Sequence, residues 1–327
     1  MNINEIARLA GVSRATVSRF LNDGYVSGEK KEKIKKVIEE TGYKPSAQAQ
    51  MLRTKKTNLI GVIIPKINSD SIGRMVAGVS SVLSKAGYQL LLANTDNDEK
   101  EEVKYLKVLT ENQVDGIILI GTVFTPAHKK VLKELEVPVV ILSQSLPGYS
   151  CVYYDDYHAA YDLTRLLLQH SSNPAYIGVT ERDEAAGRRR KEGFLDAVRD
   201  CGGVVKESNI AVGEFRMDSG YEQAGFLLSG DPEIDSIFCA TDSIAIGAVT
   251  RLREMEKRIP EEVSVAGIGD SEISRVCVPK LTTVHYFYKT SGEEAARLLV
   301  NMLESGDQIR REVKMGYQIM PGKTTRE

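Results

Sequence analysis

From Leu59 onward the chain alternates between two kinds of segment, and few folds accommodate that alternation. Apolar runs of strand length, LIGVIIP (59–65), YQLLLANT (88–95), VDGIILIG (114–121) and VPVVILSQ (137–144), are separated by the amphipathic stretches SIGRMVAGVSSVLSKAG, EKEEVKYLKVLTENQ and TPAHKKVLKELE. Short runs that are apolar throughout read as strands buried on both faces, and the helical periods between them supply the cover. The pattern predicts a parallel sheet wrapped by helices on both sides. A second series follows, CVYYD, NPAYIGVT, IDSIFCAT and SVAGIGD, with helices expected from Asp156, Ala185, Ser219 and Ser243. Two doubly wound sheets imply two lobes with a cleft between them. Ligands in such folds sit beyond the carboxyl ends of the strands.

The first 57 residues have a different character. They carry twelve Lys and Arg against six Asp and Glu, whereas the remaining 270 carry 31 against 39. A small basic module on an acidic body suits a polyanion-binding head. Asn2 followed by Glu5 fits a capping box that opens a helix, with Ile6, Leu9 and Ala10 expected inward. Gly11 supplies a turn, and Ser13 is placed to cap a second helix whose Val17, Phe20 and Leu21 face the core. Arg14, Ala15, Thr16, Ser18 and Arg19 remain outside. That is a helix-turn-helix, whose second helix enters the major groove. Arg14 can fork onto guanine, Ala15 and Thr16 can meet a thymine methyl, and Ser18 and Arg19 can grip phosphate. Ser27 is expected to cap a third helix, KKEKIKKVIEETG, completed by Ile34, Val37 and Ile38 and ended by Gly42. In YKPSAQAQMLRTKKTN, Pro45, Ala47, Ala49 and Leu52 suggest a marginal helix that folds on meeting a partner, with Leu52 as an apolar wedge for a minor-groove step; a plain linker reads equally well.

The segments INEIARLAGVSRATVSRFLN and YKPSAQAQMLR resemble the headpiece and hinge of the LacI/GalR family of bacterial transcription regulators. ATDSIAIGA (240–248) and the segment from Val263 to Thr283, ending PKLTTV, resemble its effector domain. The resemblance covers nearly the whole chain and implies an all-α headpiece on a two-lobed, periplasmic-binding-protein-like α/β body. The expected divisions are a headpiece at 1–44, a hinge helix and linker at 45–57, and an effector-binding and dimerisation domain at 58–327. Lobe 1 is expected at about 58–155 plus 289–318, and lobe 2 at about 156–288 plus the C-terminal end, with the late crossing near Phe287–Lys289. The resemblance carries DNA reading to Ser13, Arg14, Ala15, Thr16, Ser18, Arg19 and Asn22, and pairing of hinge helices at the operator centre to Ala49 and Leu52. It also implies a homodimer on double-stranded, pseudo-palindromic operator DNA. The chain shows no C-terminal heptads of the sort that make some relatives tetramers.

For the cleft, the strand ends nominate Lys66, Asn68, Ser69 and Ser71, with Arg74 one turn on, together with Thr241 and Asp242. The resemblance adds Arg190 as a grip on effector hydroxyl or carboxylate groups, Phe194 as a stacking ring and Tyr288 at the late crossing. Gly269 stands where relatives that bind free sugars often carry Asp, and Asp270 is the nearest substitute. Lys66 with Arg188, Arg189 and Arg190 suggests a cationic cleft, which suits a sugar phosphate. The segments PKINSDSIGRMV, GIGDSEISRVCVPKLTTV and YFYKTSGEEAA look most like sucrose- and trehalose-operon repressors, so a disaccharide phosphate is the expected effector, with no cofactor.

Other classes remain in view. A solute receptor for transport shares the two-lobed body but needs export, and MNINEIARLAG is not an export signal. A global carbon-control regulator recruiting a phosphoprotein co-repressor belongs to the same family. An enzyme is disfavoured: there is no GxSxG elbow, HExxH, P-loop or complete GxGxxG. His128, His158, His170 and His285 are scattered, and Cys151, Cys201, Cys239 and Cys277 form no CxxC pair, so no metal site is expected and the thiols suit a reducing cytoplasm. No apolar run reaches the roughly 18–20 residues of a membrane span.

Overall fold

The computed structural model describes residues 1–22, 24–43, 56–306 and 309–326. The chain forms two compact units, Met1–Thr57 and Asn58–Glu327.

In the first unit, α1 (Ile3–Leu9), α2 (Arg14–Phe20) and α3 (Gly28–Thr41) pack around Ile6, Ala7, Ala10, Val17 and Ile34, with Phe20, Leu21, Val37 and Ile38 at the rim. The capping box forms: the Asn2 side chain accepts from the Asn4 and Glu5 amides, and the Glu5 carboxylate accepts from the Asn2 amide at 2.8 Å. Gly11, at φ +64°, reverses the chain into α2. Two expectations need correction. Leu9 is 52% exposed, because the buried stripe of α1 runs through Ile6, Ala7 and Ala10. Ser27 stands at the start of α3 but its side chain makes no capping hydrogen bond.

The second unit contains two six-stranded sheets. The first has the order β11-β5-β4-β3-β1-β2 and the second β12-β10-β9-β8-β6-β7. The first sheet is built from β1 (Leu59–Ile64), β2 (Gln89–Asn94), β3 (Gly116–Leu119), β4 (Val139–Ser143), β5 (Ser150–Tyr154) and β11 (Glu312–Met315), all parallel. Along β1, Ile60, Val62 and Ile64 face α4 (Asp70–Lys85) and α12 (Tyr288–Ser305), while Ile63 faces α5 (Glu99–Glu111) and α6 (Pro126–Glu134). Both faces are therefore dry, which is why the run is apolar throughout. β2 differs. It is an edge strand, and Leu91 and Leu92 are 38% and 41% exposed although the sequence reads as buried.

The second sheet contains β6 (Pro174–Gly178), β7 (Ile210–Val212), β8 (Ser236–Cys239), β9 (Ser264–Ile268), β10 (Thr282–Tyr286) and β12 (Tyr317–Met320). It is parallel except that β12 runs antiparallel to β10, a departure from the wholly parallel expectation. The cause is connectivity. After Met315 the chain crosses at Gly316 and enters the second sheet at its hinge side, where Tyr317 pairs with Tyr286, the last residue of β10.

The chain passes between the sheets three times. It leaves β5 at Tyr154 for α7 (Asp156–Leu168), leaves β10 at Tyr286 for α12, and passes from β11 to β12. α7 packs on the second lobe against α8 (Arg190–Asp200), and α12 packs on the first against α4. The α4–α12 contact is unusually close. A Cβ added at Gly78 would lie 2.0 Å from the Lys289 carbonyl oxygen, and one at Gly292 would lie 2.0 Å from that of Met75. No helix among the described residues is long and apolar enough to cross a membrane.

Candidate functional site

Two surfaces carry the chemistry the sequence predicts. On the headpiece, Ser13 Oγ accepts the Thr16 amide at 3.2 Å and fixes the leading end of α2. Arg14, Ala15 and Arg19 are exposed, Thr16 and Ser18 are half-buried, and Asn22 is exposed beyond the helix. Thr16 Oγ1 lies 2.9 Å from Ser13 Oγ, so its hydroxyl serves the cap. On α3 the charges pair among themselves: Lys33 with Glu29, Lys35 with Glu39, Lys36 with Glu40. Arg14 and Arg19 have no ion-pair partner among the described residues. Among the described residues of the three helices, the cations without an ion-pair partner are thus Arg14 and Arg19 on the helix expected to read bases, with Arg8, Lys30 and Lys31 on its neighbours. Ala49 and Leu52 lie outside the described residues.

The second surface is a cavity of about 430 Å³ between the two lobes of the body. It is walled by the carboxyl ends of strands from both sheets: Pro65 and Lys66 after β1, Gly121 and Thr122 after β3, Ser143 and Gln144 at β4, Thr241 after β8, Gly269 after β9. Of the predicted residues, Lys66, Ser69, Ser71, Arg190, Thr241, Asp242 and Tyr288 all line it, and Asn68 and Arg74 join them. Phe194 does not. It is fully buried behind the strands, with its ring centroid 5.1 Å from Tyr176 and 5.6 Å from Phe238. One helical turn beyond Arg190, α8 has already reached the sheet, so the ring packs in the core instead of stacking in the cleft.

Asp270 is also absent from the cavity wall. Its backbone takes φ +45°, and its carboxylate turns to Arg275 (3.0 and 2.6 Å) and to His285 Nδ1 (2.7 Å). Burial pushes this carboxyl up, but the hydrogen bonds from Arg275 and His285 outweigh it and hold the group below the ordinary value.

Within the cavity, Arg190 is almost fully buried. Its Nε and Nη2 both meet Asp156 Oδ1 at 2.7 Å, and Nη1 donates to the Ala240 carbonyl. The Tyr286 hydroxyl donates to the same Asp156 oxygen at 3.1 Å. Truncating either member of such a pair strands a buried charge, which costs about 3–5 kcal/mol. Asp242 begins α10 (Asp242–Glu254) behind the Thr241 cap. Its Oδ2 accepts the Ser271 amide at 2.8 Å and its Oδ1 accepts the Thr283 hydroxyl. Burial raises its carboxyl despite those bonds.

Asp183 caps a π-helical turn, Glu184–Arg189, with Oδ1 accepting the Ala186 amide at 2.9 Å and the Gln144 side-chain amide at 3.3 Å. Burial pushes this carboxyl up to about 6.

The expected cationic character does not survive. Arg188 pairs with Glu184, Arg189 pairs with Glu184 and Glu192, and neither lines the cavity. The wall carries Asp70, Asp156, Asp183, Asp242 and Glu272 against Lys66, Arg74 and Arg190. Arg74 is paired with Asp70 at 2.9 Å and Arg190 with Asp156, which leaves Lys66 without an acidic partner among the described residues. Several wall residues escaped the sequence reading. Asn97 and Thr122 follow predicted strands and Gln144 ends one, so all three were open to the rule that found Lys66. Asp183 and Phe215 lie in connections with no periodic signal.

A helix-turn-helix head joined to a two-lobed body with a polar interlobe cavity defines a ligand-responsive DNA-binding regulator. The comparisons make this specific. Residues 2–46 match the model of bacterial regulatory proteins of the lacI family, and residues 163–325 match a periplasmic binding protein-like domain. The chain is 34% identical to the sucrose operon repressor of Staphylococcus xylosus over 93% of its length and 94% of that protein's, and 31% identical to catabolite control protein A of Priestia megaterium, covering 93% and 92%. Its fold is similar to that of the transcriptional regulator CelR in complex with cellobiose, with a TM-score of 0.76 at 28% identity and 99% of each chain covered. The chain belongs to the LacI family of bacterial transcription regulators, a family of DNA-binding proteins and not of enzymes.

Proposed function

We propose that this protein is an operator-binding repressor of a carbohydrate-utilisation operon, acting in the cytoplasm as a homodimer on a pseudo-palindromic site. A small neutral sugar of disaccharide size, held between the lobes without any cofactor, governs its hold on DNA. The observation that carries the reading is the cavity itself. It combines hydroxyl and amide groups with carboxylates already held by donors, and it is backed by the Tyr288 ring. Sugar hydroxyls both donate and accept, and a sugar's C–H face packs on an aromatic ring, so such a wall suits a polyol. The volume lies within the roughly 300–1,000 Å³ of small-molecule sites. The names of the relatives point the same way, one a sucrose operon repressor and one a regulator holding cellobiose.

A phosphorylated sugar fits less well. With the Arg74–Asp70 and Arg190–Asp156 pairs set aside, its charge would face Asp183, Asp242 and Glu272 with Lys66 alone in its favour. Like charges juxtaposed in a partly dry site are strongly disfavoured. For occupancy to alter DNA binding, the sugar must bind one lobe arrangement better than the other, since equal affinity shifts nothing.

The test is direct. A duplex selected from a random library by the full-length protein is titrated at fixed salt, with sucrose, cellobiose or trehalose and with their phosphorylated forms. A free disaccharide should weaken operator binding by about tenfold or more. A response to phosphorylated sugars alone would overturn the neutral-sugar reading, and failure to select any duplex would overturn the operator reading.

A further inference from the structure

Arg74 holds an unusual position in the body. It lies on α4 in the first lobe, one turn beyond Asp70. Its guanidinium carbon sits 4.7 Å from the ring centroid of Tyr288, the residue that opens α12 after the late crossing. Its Nη2 meets Asp70 Oδ2 at 2.9 Å and donates to the Gly269 carbonyl oxygen at 2.6 Å. Gly269 follows β9 and belongs to the other lobe, so this hydrogen bond spans the cleft. Arg74 Nε is buried and has no hydrogen-bond partner among the described residues, while Arg74, Gly269 and Tyr288 all line the cavity.

Gly269 explains why the tie falls on backbone. Its φ is +149°, and a Cβ there would lie 3.3 Å from Asp242 Oδ2. A side chain at 269 would be strained and would crowd the Asp242 carboxylate, so this strand end offers the first lobe a carbonyl. An arginine matches that offer. Its planar fork can fasten the carbonyl and Asp70 through one nitrogen, lie on the Tyr288 ring and still aim another N–H elsewhere.

We propose that Arg74 is the positioning residue that couples occupancy of the cleft to the approach of the lobes. Nη2 ties Gly269 to the first lobe, and an accessible N–H of the same guanidinium donates to a neutral acceptor of the bound sugar, a hydroxyl or ring oxygen. The bound ligand completes the hydrogen bonding of one group that fastens the lobes, beside the Gln144–Asp183 and Arg182–Glu99 contacts, so ligand binding and lobe closure reinforce each other. The second half of this proposal rests on the neutral-sugar reading above; the tie itself does not.

The experiment therefore has a sugar-free arm. Amide hydrogen exchange across residues 266–275 is followed in full-length wild type, Arg74→Met and Arg74→Lys, with circular dichroism as a check on folding and Arg74→Gln in reserve if the Met variant fails it. Losing a hydrogen bond from a charged donor is expected to raise exchange in this segment by about tenfold or more in Arg74→Met, and by less in Arg74→Lys, whose ammonium still reaches one acceptor. In the sugar arm, sucrose and cellobiose serve as probes by calorimetry. Both variants should bind the responsive probe about tenfold or more weaker than wild type, because neither presents a guanidinium. Unaltered exchange in a folded Arg74→Met protein overturns the tie whatever the sugars do. Altered exchange with full sugar affinity removes the Arg74 guanidinium from the ligand. If wild type binds neither probe while exchange still responds, the sugar reading fails and the tie stands.

Discussion

Asp183 shows how much a single side chain in this cleft depends on its surroundings. It is 4% exposed, capped by one backbone amide and touched by Gln144 from the opposite lobe, and its carboxyl is pushed from 3.8 up to about 6. The sign of the consequence follows from proton counting. Between pH 4 and 6 the folded chain holds a proton at this site that the unfolded chain has lost, so stability falls as pH rises through that window. Asp183→Asn keeps an oxygen for the cap and removes the charge. It should be more stable than wild type near pH 7 by about 2–3 kcal/mol, with the gain fading towards pH 4. Urea unfolding at both pH values checks this, and an equal gain at both would show that burial of charge is not the cause.

Residue-level legibility follows the same physics. Arg190 was reached through the family resemblance; the run GRRRKEG by itself does not separate it from Arg188 and Arg189, which pair outside the cavity. Phe194 was assigned to the cleft by the resemblance, which carries a position but not how soon the helix reaches the sheet; here the ring is buried on Tyr176 and Phe238. Asp270 stands one residue beyond the place expected of a cleft acid. A positive φ and partners five and fifteen residues away, Arg275 and His285, turn it aside, and neither is visible in a local motif.

At the level of elements, the central strands were plain and the edges were not. LIGVII and VVILS are apolar on both faces because helices cover both faces. The strand TTVHY was passed over because its threonines look like surface. They are buried against Thr324, Thr325 and Asp242, whose hydroxyls and carboxylate satisfy them. The short strands 312–315 and 317–320 border their sheets and carry no continuous apolar signal. Helix pairing is more sharply determined than amphipathicity suggests. With Gly78 set so near the backbone of α12, Gly78→Ala forces α4 and α12 apart and should destabilise the body by about 1–3 kcal/mol. An unchanged urea midpoint would mean that the two helices separate at no cost.

At the scale of the whole molecule, the unequal division of charge has a measurable effect. The basic 57-residue head neutralises phosphates, while the acidic body does not, so operator affinity should fall steeply and linearly with the logarithm of salt concentration. Anisotropy titrations at several salt concentrations give the slope. A value near zero would deny phosphate neutralisation by Arg19 and the other cations of the head.

The three crossings between the sheets carry a further implication. Each is flanked by tyrosine: Tyr154 at the first, Tyr286 and Tyr288 at the second, Tyr317 at the third. Tyr154 stacks on Tyr286 at 4.7 Å and meets Tyr288 edge-on at 5.3 Å, while the Tyr317 hydroxyl reaches Asp162. A door hung on three stiff pins swings about one line and resists every other displacement. Different molecules entering this cleft would therefore leave the same kind of trace, a degree of opening along a single arc. What the body can announce is how far it has shut, and the identity of the guest is lost in the announcement.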